Sequence, residues 1–183
     1  MMKVVVMGTK ERDLAFWLFA VFISGAAVFG SMLLWLAAFI SALLFFYHFV
    51  IVRPRAVRES RKMGLETAVL VPLWSCAARL RLLLAGKKLA GWERAYEVHL
   101  SGSGKEIIPV LEKDLLNVAG TVKGLFFWET SFPVPSAIRK LVREKEKRNK
   151  AFWVKGRLPV PGTPLLPDPV DGKHVRYGAV VLD

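Results

Sequence analysis

Apolar residues crowd one stretch of this chain and are interrupted by charge almost everywhere else. Between Leu14 and Val52 there is no Asp, Glu, Lys or Arg, and the polar groups are Ser24, Ser31, Ser41, Tyr47 and His48. One helix over that stretch would be about 58 Å long, against a hydrocarbon core of about 30 Å. The pattern therefore predicts a transmembrane hairpin within 14–52, with arms Leu14–Phe29 and Met32–Val52 and a turn at Gly30–Ser31. Trp17 and Tyr47 then fall near the outer ends of the arms and Trp35 near the turn, the interfacial depths such rings prefer. Ser24, Gly25, Ala26, Ala27, Gly30 and Ser31 are small enough to let two helices approach closely. Lys3, Lys10 and Arg12 precede the stretch, and Arg53, Arg55, Arg58, Arg61 and Lys62 follow it. By the positive-inside rule both flanks belong on one cytoplasm-like side, which a hairpin requires. The rival is a single tilted span, because Gly30–Ser31 is a weak turn signal without Pro, Asn or Asp. A cleaved signal sequence is disfavoured, since the apolar run continues well past Gly25–Ala26–Ala27.

Beyond the hairpin the pattern changes every few residues. Residues 53–64 form a basic connector with one acidic residue, Glu59, expected to lie along anionic headgroups through Arg53, Arg55, Arg58, Arg61 and Lys62. Residues 65–157 read as a small mixed soluble or interfacial region. Within it Leu73, Ala77, Leu80 and Leu84 repeat at helical spacing, predicting a helix on the membrane or on a partner, or equally a plain core helix of a small domain. Trp92–Leu111 reads as two short strands around a Ser101–Gly104 turn, and Leu111–Gly124 as a short helix. Leu125–Trp128 with Phe132 makes an aromatic patch, either a docking surface or a core. Ser136–Lys150 predicts a charged helix capped by Ser136, with a narrow stripe of Ile138, Leu141 and Val142. From 158 to 183, Pro159, Pro161, Pro164, Pro167 and Pro169 predict an extended tail, with one terminal strand at Gly178–Leu182. Leu165, Leu166 and Tyr177 are its expected anchors on partner subunits. The fold expected is thus a mainly α membrane protein: a polar N-terminal segment (1–13), the hairpin, a small basic region and a Pro-rich tail.

Charge narrows the choice of partner. The net charge is +12, which calls for an anionic neighbour, and beside a membrane anchor phospholipid and protein come before nucleic acid. One cysteine, Cys76, excludes an internal disulfide and any multi-cysteine metal site.

Candidate chemistry is sparse. Gly102, Ser103, Gly104 and Lys105 suggest a phosphate loop, but His99 stands where its first Gly is required and Glu106 follows the Lys. His48, His99 and His174 occupy unrelated segments, and no catalytic, metal or cofactor motif is present. The expected function is a non-catalytic accessory subunit of a large energy-transducing membrane complex, such as a respiratory complex or ATP synthase. Its partners would be other subunits and anionic phospholipids, in the mitochondrial inner membrane with both termini in the matrix. Two alternatives stand beside it: a component of the bacterial envelope or a secretion system in the cytoplasmic membrane, and a small membrane enzyme or carrier using His48, an intramembrane ionisable group.

Overall fold

The computed structural model describes residues 9–100, 107–130, 134–156, 158 and 175–183. Helix α1 (Thr9–Phe29) runs into a turn, and α2 (Met32–Tyr47) returns antiparallel beside it. A π-helical turn, His48–Val52, joins α2 to α3 (Arg53–Lys62), so Met32–Lys62 is one uninterrupted helix of 31 residues. Both arms are long and apolar enough to cross a membrane. At 21 residues α1 is about 32 Å long, matching the hydrocarbon thickness. It begins five residues before the expected arm, because Thr9–Asp13 is helical too. Gly30 makes the turn possible with φ +63°, and its N–H donates to the Ala26 carbonyl at 2.9 Å. Ala26, Ala38 and Ser41 are buried, and Leu34 lies against Gly25. Ser24 and Ala27, expected at the helix contact, are exposed instead.

The remainder is an α/β domain, which corrects the mainly α expectation. Strands β1 (Ala68–Leu73), β2 (Ala95–Leu100), β3 (Gly124–Thr130), β4 (Ala151–Lys155) and β5 (Arg176–Leu182) form one sheet in the order β1-β2-β3-β5-β4. β1 and β2 are antiparallel, with Ala68 opposite Leu100 and Leu73 opposite Ala95. β2 and β3 are parallel, joined through α5 (Ile107–Thr121). β5 enters between β3 and β4, antiparallel to both, pairing Val181 with Leu125 and Ala179 with Phe152.

Strand alternation sorts the side chains into two cores. Leu73, Ala95, Leu125, Phe127, Phe152, Tyr177, Ala179 and Val181 pack under α4 (Ser75–Leu84) through Ala78 and Leu82. On the other face Leu70, Phe126, Val180 and Leu182 meet α5 through Leu111 and Val118, and α6 (Ser136–Lys147) through Val142. The narrow stripe of Ile138, Leu141 and Val142 therefore suffices to seat the charged helix. Gly178 lies where β5 passes between its neighbours: a Cβ there would meet Trp128 Cζ2 at 2.5 Å and the Phe152 carbonyl at 2.9 Å.

Helix α3 ties the hairpin to the sheet edge. Val52 and Ala56 pack on Val69 and Val71 of β1, and the Ser60 hydroxyl accepts the outward Leu70 N–H at 2.9 Å. An edge donor is thereby satisfied and the edge covered.

Several local expectations change. Leu73 ends a strand and α4 begins after it, so the expected helical run crosses two elements. The second strand expected before Leu111 is the first turn of α5. Pro135, not Ser136, occupies the N-cap of α6. The aromatic patch is the middle of β3, with Leu125, Phe126 and Phe127 buried. The strand expected at Gly178–Leu182 is present as β5, but it lies inside the sheet and closes the chain's own core. Ser101–Gly104, Phe132 and the prolines from Pro159 to Pro169, with Leu165 and Leu166 between them, lie outside the described residues.

Candidate functional site

The first turn of α1 is polar, and it lands on the sheet face that α4 covers. Arg81 of α4 shares the inward side of that helix with Ala77, Ala78 and Leu82 and is 3% exposed. Its Nε donates to Glu11 Oε1 at 2.8 Å and its Nη2 to Glu11 Oε2 at 2.6 Å, a bidentate pair. The same Nη2 donates to Glu97 Oε2 of β2 at 3.0 Å. Glu97 also accepts the Thr9 backbone N–H at 2.8 Å and the Thr9 hydroxyl. His99 Nε2 lies 3.5 Å from Glu97 Oε1. Beside this cluster Lys10 pairs with Glu129 of β3 at 3.1 Å. Two helices and two strands thus converge on the N-terminus of the first apolar arm.

Burial disfavours the charges of Arg81 and Glu97, and their mutual pairing favours them. For Arg81 desolvation opposes the charge, but Glu97 and Glu11 outweigh it and raise its pKa. Burial would likewise raise Glu97, yet Arg81 first, then His99 and Thr9, hold it well below the ordinary carboxylate range. The Tyr177 phenol is pushed up by burial; Arg81 opposes this, and Glu97 and Glu11 add to it. Its hydroxyl is buried and has no hydrogen-bond partner among the described residues.

A second buried carboxylate organises the entry to β1. Asp114 Oδ2 accepts the N–H groups of Glu66, Thr67 and Ala68 at 2.9, 2.6 and 2.9 Å, and the Thr67 hydroxyl at 3.0 Å. Burial would raise its pKa, but those donors lower it.

The residues singled out from sequence are distributed otherwise. Arg53, Arg55, Arg58, Arg61 and Lys62 are all exposed along α3, whose Ala56 and Ser60 are buried. This helix prolongs the second arm. At 1.5 Å per residue Lys62 lies about 14 Å further along the helix than Arg53. Tyr177, expected to dock on a partner, is 2% exposed inside the chain's own core. His48, the intramembrane ionisable group of the enzyme or carrier alternative, is buried in the π-turn with its ring edge-on to Phe49.

Sequence reasoning missed Thr9, Glu11, Arg81, Glu97 and Asp114. Only Arg81 left a signal, as a charge within the apolar side of an amphipathic helix. No group of three or more metal-ligating side chains occurs among the described residues. No family model matches the chain, and neither curated proteins nor solved structures give a match.

Proposed function

We propose that the chain is a non-catalytic accessory subunit of a multiprotein membrane complex, holding a basic α/β domain against one face of the bilayer. The clamp of Arg81, Glu11, Glu97 and Thr9 carries this reading. It commits Arg81 and Glu97, two buried charges of the domain, to joining the hairpin to the sheet. On the outside, α3 and α6 offer basic faces suited to anionic headgroups and to acidic surfaces of other subunits. Within this class the proposal keeps to energy-transducing assemblies of the mitochondrial inner membrane, a class-level analogy drawn from the anchor and the charge. A second reading, a bacterial envelope or secretion component, draws on the sheet itself. Its core closes over its own residues, so no large assembly is needed to complete the fold.

Purification of the full chain in mild detergent tests the proposal. The expected result is stoichiometric co-migration with one large assembly, whose subunits separate the two readings. A chain that migrates alone from freshly solubilised native membranes would contradict both.

A further inference from the structure

Helix α4 buries only part of its apolar surface within the chain. Ala77, Ala78 and Leu82 face the sheet, whereas Leu80, Leu83 and Leu84 are 49%, 74% and 43% exposed, and Trp74 at the helix start is 47% exposed. Three leucines at this spacing form a stripe on one side of a helix. Their direction follows from the helix itself. Successive residues turn by about 100°, which places Leu84 and Leu80 about 60° and about 100° from Arg81, and away from Leu82. Arg81 points at Glu11 in the first turn of α1. Leu84 and Leu80 therefore border the side of α4 that faces α1, with Leu83 further round, and the exposed apolar surface of the hairpin begins with Leu14, Trp17 and Leu18.

Charge accompanies the stripe. Arg79, Lys87 and Lys88 are exposed, and Lys87 is held against the end of the helix by its N–H to the Leu82 carbonyl at 2.9 Å. Exposed apolar residues on a helix tied to the start of a spanning helix, bordered by cations, fit the boundary between headgroups and acyl chains.

We infer that α4 is an interfacial helix, seating the domain on an anionic leaflet through Leu80, Leu83 and Leu84 in the acyl boundary and Arg79, Lys87 and Lys88 among the phosphates. The clamp then fixes the depth of the domain, because Arg81 ties this helix to the point where α1 enters the bilayer. The inference rests on reading α1 and α2 as membrane spans.

Spin labels in the full chain, in nanodiscs of phosphatidylcholine and phosphatidylglycerol, test it. Labels go at Leu80→Cys and Leu84→Cys in a Cys76→Ser background, and each is exposed, so the core is untouched. Phe39→Cys on α2 reports insertion of the hairpin, and Lys140→Cys on α6 reports water. The expected result is that both α4 labels collide with oxygen more than with a water-soluble nickel chelate, as Phe39→Cys does and Lys140→Cys does not. With phosphatidylcholine alone, both should shift toward nickel. Nickel accessibility equal to that of Lys140→Cys, with Phe39→Cys still shielded, would overturn the inference and leave the spans intact. That outcome would return the stripe to a protein partner. A pattern unchanged by removing phosphatidylglycerol would overturn the anionic part. Nickel access at Phe39→Cys would overturn the inference together with the spans beneath it.

Discussion

Replacing Arg81 with Met is expected to destabilise the domain by about 3–5 kcal/mol, the range for removing one partner of a buried ion pair. The change strands Glu97, 7% exposed, and releases Glu11 from the only guanidinium it meets among the described hydrogen bonds. Urea unfolding of the full chain in detergent, followed by tryptophan fluorescence, measures the loss. Arg81→Met combined with Glu97→Gln should be less damaging than the two single changes added together, because the amide does not carry a stranded charge. Arg81→Lys should not restore stability, since an ammonium lacks the planar fork that holds Glu11 at two points. The pH dependence has a definite sign. Glu97 is lowered in the folded state, so its contribution is fully present above the unfolded carboxylate pKa. It is lost as pH falls through the depressed value. Acid should therefore loosen the wild-type clamp, and the Glu97→Gln variant should lose this part of the acid sensitivity.

A stop codon in place of Val175 is expected to abolish cooperative folding of the domain while leaving the hairpin able to insert. The nine residues removed include β5, which hydrogen-bonds to β3 along one side and to β4 along the other. Tyr177, Ala179, Val180, Val181 and Leu182 leave both cores with it. A typical domain is stable by only about 5–15 kcal/mol, less than the loss of a central strand and five buried side chains removes. Loss of near-ultraviolet circular dichroism, with membrane extraction unchanged, is the expected reading. Retention of a sharp thermal transition would place the end of the chain outside the fold.

The hairpin was legible because the absence of charge from Leu14 to Val52 is a one-dimensional signal that needs no knowledge of distant contacts. The sheet was not. Ala68–Leu73 is buried on both faces, so its apolar residues do not alternate, and their spacing continues into α4. Pro72 was the available hint, since proline inside a strand belongs at an edge and β1 is the edge strand. β5 was recognised as a strand, but its partner β3 pairs Leu182 with Gly124, and no local pattern encodes so distant a match. The clamp was hidden for the same reason: Glu11 and Arg81 are 70 positions apart, and Glu97 reads as an ordinary polar position in a half-buried strand. Arg81 itself could have been found by asking which basic residue of α4 shares a side with Ala77, Ala78 and Leu82. The basic residues of α3 are exposed, and their spacing along one axis with the second arm depends on the helix continuing through the π-turn at His48–Val52.

A clamped domain beside the bilayer requires a membrane hairpin that returns both of its ends to the domain side. Single cysteines at Met32, 85% exposed at the turn, and at Arg58, exposed on α3, read this directly in sealed vesicles once Cys76 is changed to Ser. An impermeant maleimide should reach Met32→Cys from one face and Arg58→Cys from the other, with Lys140→Cys on α6 labelling together with Arg58→Cys. Labelling of Met32→Cys from the same face as Arg58→Cys would contradict the hairpin, and with it the clamped domain and the function built on it.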